Sequence, residues 1–269
     1  MSKAIGIIPA RWTSTRFPGK PLHPIAGKPL LKHVWQRCCR SKNLDLVVIA
    51  TDDMRIASAA FDWGAEVALT SPRHGSGTNR IAEVAAKTTQ YAYVVNIQGD
   101  EPLIDPRLLD KLVEKLRSDR KVGMVTAAHP FKNPADASSP HQVKVVLDLC
   151  NNALYFSRAP IPASPNDWPM ASAPGQSNQS AKMPAPRSLR CFLRHQGIYG
   201  FRRETLLQFV RWKPSPLERA ESLEQLRALE NGVKVHVLIT AVGSPGIDTP
   251  EDAIALEQKL VRARRRMPL

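Results

Sequence analysis

Three short apolar runs do most to limit what this chain can fold into. Ile5-Gly6-Ile7-Ile8, Leu46 to Ala50, and Tyr93 to Ile97 (broken only by Asn96) are each about one strand long. They lack the apolar–polar alternation of a sheet with one wet face, so they read as strands buried on both faces. Helical patterns separate them. Leu30, Leu31, Val34 and Trp35 lie at helical spacing within Pro29 to Ser41; Met54 to Trp63 runs to a stop at Gly64; Ile81 to Ala86 and Leu108, Leu109, Leu112, Val113 and Leu116 come next. Glu66 to Leu69 adds a further short strand. Strand, helix, strand, helix predicts a largely parallel, doubly wound α/β sheet.

The residues after the first run point to chemistry. Arg11, Ser14, Thr15, Arg16 and Lys20 place three cations and two hydroxyls in ten residues, and Pro18-Gly19 forces a turn. A basic loop leaving the end of a buried strand lies where open α/β sheets bind ligands, and guanidinium and ammonium groups there suit a polyphosphate. The loop is neither a Walker A motif nor GxGxxG. Two acids stand in comparable places: Asp100 in Gln98-Gly99-Asp100-Glu101-Pro102 after the third run, and Asp248 in Gly246-Ile247-Asp248-Thr249-Pro250. Each has a plain structural reading, Asp100 as the cap of a helix starting near Pro106 and Asp248 as the residue before a Thr249 cap. Facing the basic loop together, they would make a magnesium site, because Mg²⁺ uses one or two carboxylates plus substrate oxygens.

Beyond Lys121 the texture changes. Val122 to Ala127 reads as a strand, and Val143 to Leu147 pairs with Ala153 to Phe156 as a hairpin across Asn151-Asn152. Ala159 to Arg187 holds seven of the chain's 23 prolines and reads as a solvated loop. Order resumes at Leu189 to Phe201, then in helices at Glu204 to Val210 and Pro216 to Glu230, a strand at Val233 to Ile239 and a helix from Pro250. The turn His74 to Arg80 offers small residues at a helix start, and His195 sits on a strand. Glu221, Glu224, Gln225 and Arg227 lie at helical spacing that a solvated face would also show.

Lys and Arg number 38 against 24 acids, a net charge of +14. That suits acidic substrates. A nucleic-acid face would need stacking aromatics as well, and only 6% of residues are aromatic. No apolar run approaches twenty residues and no signal-peptide pattern opens the chain, so a soluble cytoplasmic protein is expected. Cys38, Cys39, Cys150 and Cys191 lack metal-site spacing and read as reduced thiols.

Taken together, IPARWTSTRFPGKPL, ATDD, HGSGTNRIAEV, VVNIQGDEPLI, VKVVLD, ALYFSRAPIP, LRHQGIYGFR, PSPLERAESLEQLRAL and GIDTPEDA resemble, in order, the CMP-Kdo synthetases (3-deoxy-manno-octulosonate cytidylyltransferases). The resemblance covers nearly the whole chain except residues 163 to 187. It implies a Rossmann-like α/β nucleotidyltransferase with a mostly parallel mixed central sheet flanked by helices. A smaller sugar-binding and dimerisation subdomain would occupy 129–235, between a nucleotide-binding core at 1–128 and a returning segment at 236–269. It implies formation of CMP-Kdo and pyrophosphate from CTP and Kdo for lipopolysaccharide biosynthesis, in a homodimer. Pro9, Ala10, Arg11, Ser14 and Lys20, with Arg16, would bind the CTP phosphates and nucleotide, and Ser76 and Arg80 would stand at the cytidine end. Asp100 and Asp248 would hold Mg²⁺; Gln98, Arg158, His195, Tyr199, Glu224 and Gln225 would line the sugar-acid pocket. The chain departs from the family at Gly75 and Asn79, where Gln and an acid are usual, and at Ala163-Ser164-Pro165, where Trp-Asp is usual. A related acid such as 8-amino-Kdo or a sialic-type sugar stays open at this point.

Overall fold

The computed structural model describes residues 2–13, 17–131, 133–163 and 192–265. Ser14, Arg16, Cys191 and most of the expected Pro-rich loop lie outside them. The elements in chain order begin β1 (Lys3–Ala10), β2 (Pro24–Ile25), β3 (Lys28–Pro29), α1 (Leu30–Cys38), β4 (Leu46–Thr51), α2 (Met54–Asp62), β5 (Glu66–Leu69), α3 (Gly77–Lys87), β6 (Tyr91–Asn96) and α4 (Pro106–Ser118). They continue with β7 (Met124–Pro130), β8 (Lys144–Leu147), β9 (Ala153–Ser157), β10 (Leu193–Arg202), α5 (Arg203–Phe209), α6 (Pro216–Glu221), α7 (Leu226–Glu230), β11 (Val235–Ile239) and α8 (Pro250–Arg265). They form two compact units. One comprises Met1–Arg120, Ile198–Arg211 and Ser244–Leu269, the other Lys121–Gly197 and Trp212–Gly243.

In the first unit β1 is the central strand, parallel to β4 on one side and β6 on the other, with β5 parallel beyond β4. Ile5, Ile7 and Ile8 are fully buried, as an apolar strand covered on both faces should be. Pairing Ala10 with Thr51 and Ile7 with Asn96 brings the carboxyl ends of the three strands to one edge. The second half of β10 closes the far side of β6 antiparallel, Tyr199 opposite Asn96. The sheet is therefore mixed but mostly parallel and is flanked by helices, the expected class.

Local chemistry sets the helix starts. α4 opens on Asp105, whose carboxylate accepts the Arg107 N–H at 3.0 Å, with Pro106 in the first turn. The cap is thus Asp105 and not Asp100, which leaves Asp100 available for other work. α3 begins at Gly77, four residues before the apolar pattern at Ile81, because Ser76 accepts the Asn79 N–H at 3.2 Å and caps the extra turn. At the other end of the chain, Thr249 and Asp252 cap α8 reciprocally: Asp252 accepts the Thr249 N–H at 2.9 Å and donates its own N–H to Thr249 Oγ1 at 3.3 Å. Ile247, Ala253 and Leu256 then pack with Phe17, Ile25 and Leu30 in one buried cluster. This docking carries the C-terminal turn back to the basic loop.

In the second unit β11 runs parallel to β7, and β8 pairs antiparallel with both β9 and the first half of β10. The β8–β9 hairpin is the expected one, with Asn151 in the left-handed region at φ 60°. One expectation fails here. The stretch Pro216 to Glu230 is not a continuous helix, because Ser222 adopts φ 52° and ends α6 before α7 begins. Phe131, Ala137 and Phe192 form a small separate core. Cys38, Cys39 and Cys150 are free thiols, and burial raises the pKa of the Cys38 thiol.

Candidate active site

The first unit holds Arg11, Lys20 and both aspartates. Lys20 opens a turn of 3₁₀ helix after Gly19, whose φ of 70° reverses the chain. Its ammonium lies 2.6 Å from Asp100 Oδ2 and 3.8 Å from Asp248 Oδ1, and it donates to the Ile247 carbonyl at 2.9 Å. Ile247 is also the link to Asp100, since its N–H donates to the Asp100 carbonyl at 2.9 Å. Asp100 comes close to β1 because Gly99 precedes it; a Cβ at Gly99 would stand 3.2 Å from the Pro9 carbonyl oxygen. Two carboxylates around one ammonium carry a net negative charge at the carboxyl edge of the parallel strands.

A second cluster surrounds the end of β4. Arg80, 1% exposed, reaches back from α3 to pair with Asp52 at 3.0 Å and donates to the Thr70 hydroxyl. Arg11 stands beside it, one Nη 3.5 Å from the Gly75 carbonyl and the other buried with no hydrogen-bond partner among the described residues. Burial lowers the Arg11 pKa, and the neighbouring Arg80 charge lowers it further, against the pull of Asp52. Pro9 and Ala10 end the strand beneath, with Pro9 packed on Gly77 at the start of α3. Gln98 lies in the turn before Asp100, and Tyr199 lies on β10 beside Phe201.

The remaining candidates belong to the second unit. Arg158 is tied down by backbone carbonyls: Nε donates to Glu221 at 2.8 Å, Nη1 to Pro140 at 3.1 Å and Nη2 to Ser222 at 3.3 Å. The Glu221 carboxylate accepts from Ser157 Oγ at 2.6 Å and the Arg158 N–H at 2.8 Å. His195 lies 2.9 Å from the Thr126 hydroxyl and edge-on to Phe156 at 4.9 Å, and burial pushes its imidazole down to about 3. That histidine is neutral at pH 7 and serves as a hydrogen-bonding group. Gln225 is buried, with its Nε2 unpartnered among the described residues. Glu224 lies 3.8 Å from Arg227.

Sequence reasoning missed three groups. Asp52 holds Arg80, yet Thr51-Asp52-Asp53 reads as no more than a strand end. Glu221 anchors Arg158, and Arg227 is buried in a pair with Glu218, where helical spacing alone allows a solvated face. The available signal was the acid pair at the strand end in the first case and the Ser215-to-Glu218 capping box in the last.

A mostly parallel α/β sheet with a Lys–Asp–Asp set and two arginines at its strand ends defines a nucleotidyltransferase. A family model described as cytidylyltransferase matches residues 5–235. A 3-deoxy-manno-octulosonate cytidylyltransferase of Geobacter metallireducens is 43% identical over 97% of this chain and 98% of its own. One from Pseudomonas syringae pv. syringae is 47% identical over 91% of this chain and 93% of its own. A solved structure of CMP:2-keto-3-deoxy-manno-octonic acid synthetase complexed with CTP superposes with a TM-score of 0.85 at 36% identity, covering 97% of this chain and all of the other. The chain belongs to the 3-deoxy-manno-octulosonate cytidylyltransferase family.

Proposed function

We propose that this protein transfers the cytidylyl group of CTP to Kdo, releasing pyrophosphate. The observation that carries the reading is the convergence of Lys20, Asp100 and Asp248 at the carboxyl edge of the sheet, with Lys20 bonded to Asp100, 80 residues away, and to the Ile247 carbonyl, 227 residues away. The sugar's anomeric hydroxyl attacks the α-phosphorus in line with the departing pyrophosphate. Lys20 and Arg11 hold phosphate oxygens and offset the charge that grows on them, while Arg80, buried against Asp52, fixes the wall beside them. A covalent protein nucleophile is not required.

The donor set also fits Mg²⁺. Among the described residues no group of three or more His, Cys, Asp or Glu side chains is arranged to hold a metal. Asp100 and Asp248 would hold the ion with its remaining positions filled by phosphate oxygens and water, the usual mode for this cation. When bound, Mg²⁺ supplies charge neutralisation at the triphosphate. The reading extends to a cytoplasmic homodimer, which sedimentation would test. Among the described residues no helix is long and apolar enough to cross a membrane.

The test is pyrophosphate release, crossing CTP, UTP, ATP and GTP with Kdo, 8-amino-Kdo and sialic acid. CTP with Kdo should be the preferred pair. Equal use of the four nucleotides would overturn the cytidine assignment, and preference for another sugar would overturn the Kdo assignment.

A further inference from the structure

The chemistry above leaves Trp12 unused, although it follows Arg11 directly and meets the residue before Lys20. The Arg55 guanidinium lies over the indole, 3.7 Å from the ring centroid. Arg55 is itself locked: Nε donates to Asp53 Oδ1 at 2.9 Å and Nη2 to Asp53 Oδ2 at 2.6 Å. The same Oδ1 accepts the Arg55 N–H at 3.0 Å and caps α2, so the fork is fixed to a helix start. The indole also meets Gly19, where a Cβ would come within 3.3 Å of the ring. The Gly19 N–H donates to the Trp12 carbonyl at 3.3 Å. Trp12 thus ties the two ends of the basic loop to each other and to the turn after β4.

We propose that Trp12 is a positioning residue, pinned by Arg55 and Asp53, that closes the neck of the loop and sets the placement of Arg11 and Lys20 for the nucleotide triphosphate. A flat guanidinium on an indole face is a favourable stack, and the bidentate carboxylate removes the rotational freedom that Arg55 would otherwise lose on binding. Asp53 also neutralises Arg55, so the pin supplies order and not charge.

The proposal rests on the cytidylyltransferase reading, and the experiment separates the two. CTP dissociation constants and steady-state pyrophosphate release are measured for wild type, Trp12→Ala, Trp12→Phe, Arg55→Gln and the Trp12→Ala/Arg55→Gln double variant. Trp12→Ala and Arg55→Gln should each weaken CTP binding about tenfold, with KM rising more than kcat falls. Trp12→Phe keeps a ring face and should recover most of the loss. The double variant should be no weaker than the worse single one, because the two side chains act as one device. Arg55 is 58% exposed, so Arg55→Gln tests the idea even if Trp12→Ala fails to fold. CTP affinity in Arg55→Gln within about twofold of wild type, or losses that multiply in the double variant, overturns the proposal. Multiplying losses would mean that Arg55 meets the phosphates directly. Wild type that binds no CTP overturns the activity reading, and this proposal with it.

Discussion

Lys20 is the residue on which the site closes, and its surroundings say which change would show it. Its ammonium has a carboxylate at 2.6 Å and a carbonyl at 2.9 Å, while Asp100 keeps 29% of its side chain exposed. Asp100 is therefore partnered but is not part of the core, and removing its charge should leave packing intact. If Asp100 holds Mg²⁺ as proposed, Asp100→Asn is expected to lower pyrophosphate release by about a hundredfold or more, because the ion and Lys20 would both lose a charged partner where the phosphate charge develops. Its thermal midpoint should stay within a few degrees of wild type, about what a change outside the core allows. Turnover equal to wild type, with an unchanged Mg²⁺ requirement, would remove Asp100 from the metal site. Asp52 calls for a different expectation. It pairs with Arg80, whose guanidinium is buried, so changes there act by leaving a buried charge without its carboxylate.

At the scale of elements, the turn before α3 depends on one carboxylate. Glu83 accepts the Ser71 N–H at 2.9 Å, His74 Nε2 at 2.6 Å and Lys87 Nζ at 2.7 Å. The Lys87, Ser71 and His74 bonds hold its carboxyl down at about 2, against an ordinary 4.5. The folded state binds this proton less readily than the unfolded chain. The stabilisation is therefore complete above pH 4.5 and is lost as pH falls towards 2. Glu83→Gln should cost about 1 kcal/mol near neutrality, the scale of a partly exposed ion pair, and the gap from wild type should close by about pH 2. Urea midpoints at the two pH values check this; a gap unchanged by pH would exclude the carboxylate as its source. The same elements show what could be read beforehand. β1, β4 and β6 were legible because burial on both faces favours runs of apolar residues, and α4 because Leu108, Leu112 and Leu116 repeat on one face. The first turn of α3 was hidden by Gly77 and Asn79, weak helix formers made helical by the Ser76 cap. The break at Ser222 carries no Gly or Pro to announce it, and β2 and β3, two residues each, are too short to show a period. Within the site, Lys20, Asp100 and Asp248 were legible as charges at turns after strands. The Asp52–Arg80 and Glu221–Arg158 pairings were not, because a pairing across tens of residues is created by packing.

For the whole molecule the governing quantity is the net charge of +14. Among the described residues at the strand ends, Arg11, Lys20 and Arg80 are equalled in number by Asp52, Asp100 and Asp248, so most of the excess lies elsewhere on the protein. Charge spread in this way acts on incoming anions at long range, where salt screens it, and adds little to contacts made after docking. CTP and a sugar acid are both anions, so the field raises their encounter rate without altering the chemical step. Raising ionic strength from about 0.05 M to about 0.5 M should lower kcat/KM for CTP by roughly tenfold and change kcat by less than about twofold, at fixed free Mg²⁺. A kcat/KM indifferent to salt would mean that the excess charge serves some purpose other than steering substrates. A kcat that falls in parallel would mean that salt reaches the bound triphosphate, which a site built from paired and partly buried charges should prevent.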